Sequence, residues 1–126
     1  MWFEELPEQC PPSDAINPNG NVYYRLVETF PPACKDFWSH RKAWPEKVFK
    51  VDECRAKSVS IFDHVDECRK LTKLPLHKDK YIVQLALISS DGVLKQTGRK
   101  SHHSWWRSPD FDPRKSAIID SQECSQ

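Results

Sequence analysis

Three groups of residues in this chain have the types and spacing that chemistry asks for. Between Lys95 and Arg107 the basic side chains Lys95, Arg99, Lys100 and Arg107 stand beside His102, His103, Trp105 and Trp106, with no acid among them. Guanidinium groups fork onto phosphate oxygens and indole faces stack on bases, so the segment suits a phosphate-bearing ligand or a partner. Adjacent Trp105 and Trp106 face opposite sides of a strand, so only one of them belongs in a core unless both faces are covered. Arg25 stands in the run Val22-Tyr-Tyr-Arg-Leu-Val27. It points either to solvent or to a cleft floor, where a paired anion offsets its desolvation. Ser58 and Ser60 share one face at period two and suit hydrogen bonds to a sugar or an amide. His102 and His103 are the candidate catalytic groups, because imidazole titrates near neutral pH.

The five cysteines, Cys10, Cys34, Cys54, Cys68 and Cys124, contain no CxxC pair. The N-terminus carries acids where a signal peptide has a basic and then an apolar region, so free thiols and a cytoplasmic location are expected. His64 and Cys68 stand four apart on one helix face, which reads as a solvent-facing histidine and a half-buried thiol. No metal site is expected, because structural zinc sites place their ligands in closer pairs.

The elements that must position these groups are short. Residues 1 to 20 hold Pro7, Pro11, Pro12, Pro18 and the turn Asn19-Gly20, and read as an extended arm or lid. Asn21 to Phe30 reads as the first strand and Ala33 to Pro45 as a loop or short helix. The spacing predicts strands over 47–52 and 57–62. A helix is predicted from His64 to Leu74, capped by Asp63 and buried along Val65, Cys68, Leu71 and Leu74 or Leu76. Tyr81 to Ile88 reads as a central strand, Val93 to Thr97 as its antiparallel partner across a turn, and Ala117 to Ile119 as a last strand. The pentapeptide Val-Asp-Glu-Cys-Arg occurs at 51–55 and 65–69 and is read as coincidence. The expectation is one α+β domain over 21–120, a small mainly antiparallel sheet with one or two short helices, between the arm and a tail at 121–126.

Composition excludes several classes. With 126 residues and 38% hydrophobic positions the chain fits one domain, and no apolar run approaches a membrane span. Its three glycines leave no phosphate loop, no GxGxxG and no GxSxG, and HExxH is absent. A net charge of +1 argues against strong nonspecific nucleic-acid binding, although the charge is unevenly spread. Residues 1 to 33 carry five acids and only Arg25 as a base, so the acidic arm is able to dock on the basic segment and mask it.

Taken in order, Tyr24-Arg25-Leu26, then Ser58-Val59-Ser60 leading into a helix, then the apolar strand Tyr81 to Ile88, resemble the layout of the ADP-ribosyltransferase fold. The resemblance spans about residues 21 to 97. It implies that Arg25 binds the phosphates of NAD and that Ser58 or Ser60 shapes the nicotinamide pocket, in an enzyme of the toxin or defence-effector kind. The family's glutamate motif is missing: Glu123 is the sole late glutamate, and Val59 replaces the usual Thr.

Two functions follow as expectations. One is a binding module that recognises a protein partner, a second copy or nucleic acid through residues 95–107, joined by Trp38, Trp44 and the Arg41-Lys42 pair. The other is an NAD- or nucleotide-binding enzyme built on Arg25, Ser58, Ser60 and His102 or His103.

Overall fold

The computed structural model describes residues 2–99 and 101–120, without the side chains of Ile119 and Asp120. Six strands form one antiparallel sheet: β1 (Val22–Val27), β2 (Val59–Phe62), β3 (Tyr81–Ala86), β4 (Gly92–Gln96), β5 (His102–Arg107) and β6 (Ala117–Asp120). Their order is β4-β5-β2-β1-β3-β6. Three short helices complete the α+β fold: α1 (His40–Ala43), α2 (Glu53–Ala56) and α3 (Val65–Thr72). No helix among the described residues is long and apolar enough to cross a membrane.

Alternation along the strands builds the core. Tyr23 and Val27 of β1 point to the same side as Val83 and Leu85 of β3, Val59 and Ile61 of β2, Leu94 of β4 and Trp105 of β5. Phe37 and Phe111 close this layer from the loops, with ring centroids 4.8 Å apart for Trp105 and Phe111 and 5.0 Å for Phe37 and Phe111. Helix α3 lies across β1, β2 and β3 and fully buries only Cys68. Leu74, expected as part of its stripe, stays exposed.

Several local expectations are corrected. Residues 47–52 form no strand, because the Asp52 side chain accepts the Arg55 N–H at 2.8 Å and starts α2 instead. The cap of α3 is His64 rather than Asp63, whose own N–H donates to the Ser101 carbonyl at 3.0 Å. The two pentapeptides diverge: Cys54 of the first is in a disulfide, and Cys68 of the second is buried as a thiol. Strand β4 pairs with β5 and not with β3, whose partners are β1 and β6. The Asp91 carbonyl explains this choice, since it accepts both the Trp105 indole N–H and the Ser108 N–H and ties the turn to β5. Gly92 follows at φ 129°, where a Cβ would collide with the Trp106 carbonyl.

The N-terminal arm contains no regular element and lies along the β4–β5 edge. Phe3 N–H donates to the Arg107 carbonyl at 3.1 Å, and Lys57 Nζ reaches the Glu5 carbonyl at 2.6 Å. Further along, Asp14 pairs with Lys95 at 3.0 Å and Ile16 exchanges two backbone hydrogen bonds with Leu94. A Cys10–Cys54 disulfide fastens its middle. Free thiols, expected throughout, are therefore found among the described residues at Cys34 and Cys68 but not at this pair, and Cys124 lies outside the described residues.

Candidate functional site

Strand β5 places most of the basic and aromatic segment inside the molecule. Trp105 is fully buried and its indole N–H is bonded to Asp91. Trp106, on the other face, is buried too, with its N–H on the Cys54 carbonyl at 2.8 Å. Both faces of this strand are covered, and the arm residues Trp2, Phe3 and Leu6 form the cover beside Trp106. Arg107 is buried among the Phe37, Ser108 and Phe111 carbonyls, with its guanidinium carbon 3.8 Å from the Phe3 ring centroid. These three side chains are occupied by the protein itself, so none faces a ligand in this arrangement. His103 packs edge-on against Tyr23 and bonds the Ser101 carbonyl. Arg99 is exposed and lines a cavity of about 590 Å³ with Asp63, His64, Glu67, Lys70 and Ser101. Lys100 lies outside the described residues.

Ser58 and Ser60 separate. Ser58 is buried and its hydroxyl donates to the Arg55 carbonyl at the end of α2. Ser60 lies at a seam: β1 and β2 share only the pair Tyr24–Phe62, whereas β1 and β3 pair over six residues. At that seam Arg25 Nη1 donates to the Ser60 carbonyl at 2.6 Å and Nε to the Asp36 carbonyl at 2.9 Å. Burial pushes the Arg25 pKa down to about 10, against the opposing pull of Asp36, so it stays charged at neutral pH.

From the other side, the Ser60 hydroxyl lies 2.9 Å from His102 Nε2. His102 Nδ1 is 3.0 Å from the Thr97 carbonyl, which can only accept, so the proton sits on Nδ1 and Nε2 receives the hydroxyl of Ser60. Burial lowers the His102 pKa, the Thr97 carbonyl opposes this, and nearby Arg55 adds to it; the ring is a neutral base near pH 7. Arg25 and His102 thus meet on one residue, while Ser58 and His103 stand apart.

A wide opening lies at Arg25. A cleft of about 660 Å³ is lined by Arg25, Lys35, Lys47 and Lys80, by Trp38, Trp44 and Phe49, and by His40 and His77. Its acids are Glu28 and Asp36. Asp36 is already used, accepting from Thr29 Oγ1 and from the Glu28 and Ala33 N–H groups. These bonds and Arg25 hold its carboxyl below the usual range despite the upward push of burial.

The irregular wall over residues 44–49 is braced by Arg41. Its guanidinium bonds the Pro45 and Lys47 carbonyls, pairs with Glu53 and lies 4.8 Å from the centre of the Phe49 ring. His40 stacks on Phe49 with centroids 6.0 Å apart. Desolvation, then the charges of Arg25, Lys47 and Lys80, lower its pKa. Trp44 remains 60% exposed, an indole with much of its surface uncovered.

The sequence alone points to Trp38 and Trp44 but not to Lys35, His40, Lys47, Phe49, His77 or Lys80, which the fold brings to the same opening. The lysines at 70, 73, 78 and 80 were the available signal. Comparison of the chain with protein-family models, with curated proteins and with solved structures gives no match.

Proposed function

We propose that this protein is a binding module for single-stranded nucleic acid, and that its recognition surface is the Arg25 cleft rather than residues 95–107. The observation that supports this is the meeting of four cationic side chains, Arg25, Lys35, Lys47 and Lys80, with Trp38, Trp44 and Phe49 around one opening. Cations in a groove track phosphates, and aromatic faces stack bases of any sequence. Fluorescence anisotropy of a labelled single-stranded oligonucleotide across a salt series tests the reading. Three to four phosphate contacts give a log–log slope of about −2 to −3. A flat affinity, or none, overturns it and leaves a protein partner or a second copy of the chain as the binding reading.

A second reading, an NAD- or nucleotide-handling enzyme of the ADP-ribosyltransferase type, has the order of Arg25, Ser58 and Ser60 along the chain behind it, but Arg25 and His102 approach Ser60 from opposite sides and only Arg25 lines the cleft. A ligand that binds only the native state raises its melting temperature. The absence of a thermal shift at millimolar NAD removes this reading.

A cytoplasmic working place would keep Cys10 and Cys54 as thiols, whereas their disulfide persists in oxidising surroundings. The redox state of this pair in the cell tests the location.

A further inference from the structure

The cleft wall over residues 44–49 belongs to a segment whose two ends are both fastened to the N-terminal arm. At its start, the Ser39 hydroxyl caps α1 by accepting the Lys42 N–H at 3.1 Å. The carboxylate of Glu4, in the arm, accepts that same hydroxyl at 2.9 Å and the Ser39 N–H at 3.3 Å. At its end, Cys54 lies in α2 and is bonded to Cys10 of the arm. Each of these helices is a single turn, too short to hold its shape alone, so its place depends on such attachments.

One side chain crosses the base of the segment. Arg41 of α1 meets both carboxylate oxygens of Glu53 in α2, at 2.8 and 3.1 Å. Its Nη1 donates to the Pro45 and Lys47 carbonyls at 2.7 and 2.9 Å, which gives the wall its path. Glu53 is the neighbour of Cys54. The covalent bond to the arm and the ion pair that steadies the wall are therefore one residue apart. Cys10 and Cys54 are half-buried rather than sealed in the core, so a small dithiol reaches their bond.

We propose that the Cys10–Cys54 disulfide is a redox switch on the Arg25 cleft. Oxidised, it holds α2 and Glu53 where Arg41 shapes the wall; reduced, it frees the arm and α2 from each other, the wall loosens, and the cleft grips a strand less tightly. In the step itself a dithiol thiolate attacks one sulfur, the Cys10–Cys54 bond breaks, and the dithiol closes to its own disulfide as two electrons and two protons pass to the two cysteines. For its ligand the proposal rests on the nucleic-acid reading above, and it adds regulation to that reading. Coupling of this kind is reciprocal: a strand that binds the oxidised form more tightly makes the disulfide harder to reduce by the same factor.

The test is anisotropy of a labelled single-stranded dT decamer with the oxidised protein and with the protein held in excess dithiothreitol, beside limited trypsin cleavage of both forms without ligand. Reduction is expected to weaken binding about fivefold, the low end of coupling between linked sites, and to speed nicking after Lys47 and Lys50 while circular dichroism stays native. The double substitution Cys10→Ser with Cys54→Ser should behave as the reduced protein and ignore the dithiol. Glu53→Gln should weaken binding by the oxidised protein and shrink its response to reduction, which a disulfide acting only as a general staple would not produce. Equal affinity in both redox states, a full response in Glu53→Gln, or global unfolding on reduction overturns the switch and leaves the nucleic-acid reading standing. If no decamer binds in either state the nucleic-acid reading fails, and nicking decides the switch: equal rates in the two forms overturn it, and faster nicking of the reduced form upholds it.

Discussion

Arg25 reaches from β1 to the carbonyl of Ser60 on β2, 2.6 Å from Nη1, at the place where the two strands stop pairing. The same guanidinium holds the Asp36 carbonyl at 2.9 Å, so one side chain ties two strands and the turn at Cys34–Phe37 together. Its position in the wall of the cleft gives it a second role open to a ligand. The two roles separate experimentally. Arg25→Ala leaves two carbonyls unpaired and removes a charged hydrogen-bond donor, so a loss of about 2–4 kcal/mol is expected in urea unfolding. Lys47→Ala touches only the cleft wall and is expected to lower oligonucleotide affinity and reduce the salt slope by about 1, with the urea midpoint unchanged. An Arg25→Ala protein of unaltered stability would refute the tie.

The same residue shows what was legible in the sequence. A charged side chain inside an aromatic and aliphatic strand left two readings, solvent or a cleft floor with a paired anion; Arg25 stands in a cleft wall, held by two carbonyls rather than by a paired carboxylate. Strand β5 was not assigned as an element, whereas the strands β1, β2, β3, β4 and β6 followed from β-branched and aromatic runs bounded by turn residues. The pairing of β4 with β5 did not, because it depends on the Asp91 carbonyl meeting an indole fourteen residues away. Trp105 and Trp106 looked like a ligand platform because their covers, Phe37 and residues 2–6 far away in sequence and Phe111 in the loop that follows β5, are invisible to local pattern. The cleft wall at 44–49 forms no regular element, although the spacing over 47–52 suggests a strand; Arg41 holds it by hydrogen bonds to its backbone carbonyls.

The disulfide closes a loop with a sequence separation of 44 and is the covalent anchor of the arm. A loop of that length corresponds to about 4 kcal/mol of unfolded-state entropy. Cys10→Ser with Cys54→Ser is expected to lose up to that amount and to loosen the cover over Trp106. Tryptophan emission should shift to the red before global unfolding as urea rises. Coincident loss of fluorescence and circular dichroism would show that the arm has no independent opening.

Cys68 and Cys34 differ in reactivity by position. Burial pushes the Cys68 thiol up to about 12, with Arg25 pulling the other way, so almost none of it is thiolate at pH 8. Cys34 is exposed. Brief iodoacetamide treatment of the native protein, read by peptide mass mapping, should label Cys34 and spare Cys68 until denaturant is added. Labelling of both at equal rates would show that α3 opens easily from the sheet.

Three histidines make the fold and the cleft respond to acid in opposite ways. His40, His77 and His102 all have folded pKa values below the ordinary 6.5, each first through desolvation. Between those values and 6.5 the unfolded chain binds more protons than the native one, so stability rises with pH across that window. Their contribution is intact above 6.5 and is lost as pH falls through the folded values. Urea midpoints should therefore drop from pH 7 to pH 5, and His102→Asn should flatten the part of the slope that comes from burying that ring. The charge facing these rings is mostly positive: Arg25, Lys47 and Lys80 for His40, Lys80 for His77, Arg55 and the two neighbouring histidines for His102. A bound polyanion reverses that sign at His40 and His77 and favours their protonation. Oligonucleotide affinity should then strengthen over the same interval in which the free protein weakens, and His40→Asn should remove part of the gain. Affinity that is constant from pH 7 to pH 5 would place the phosphates away from both rings.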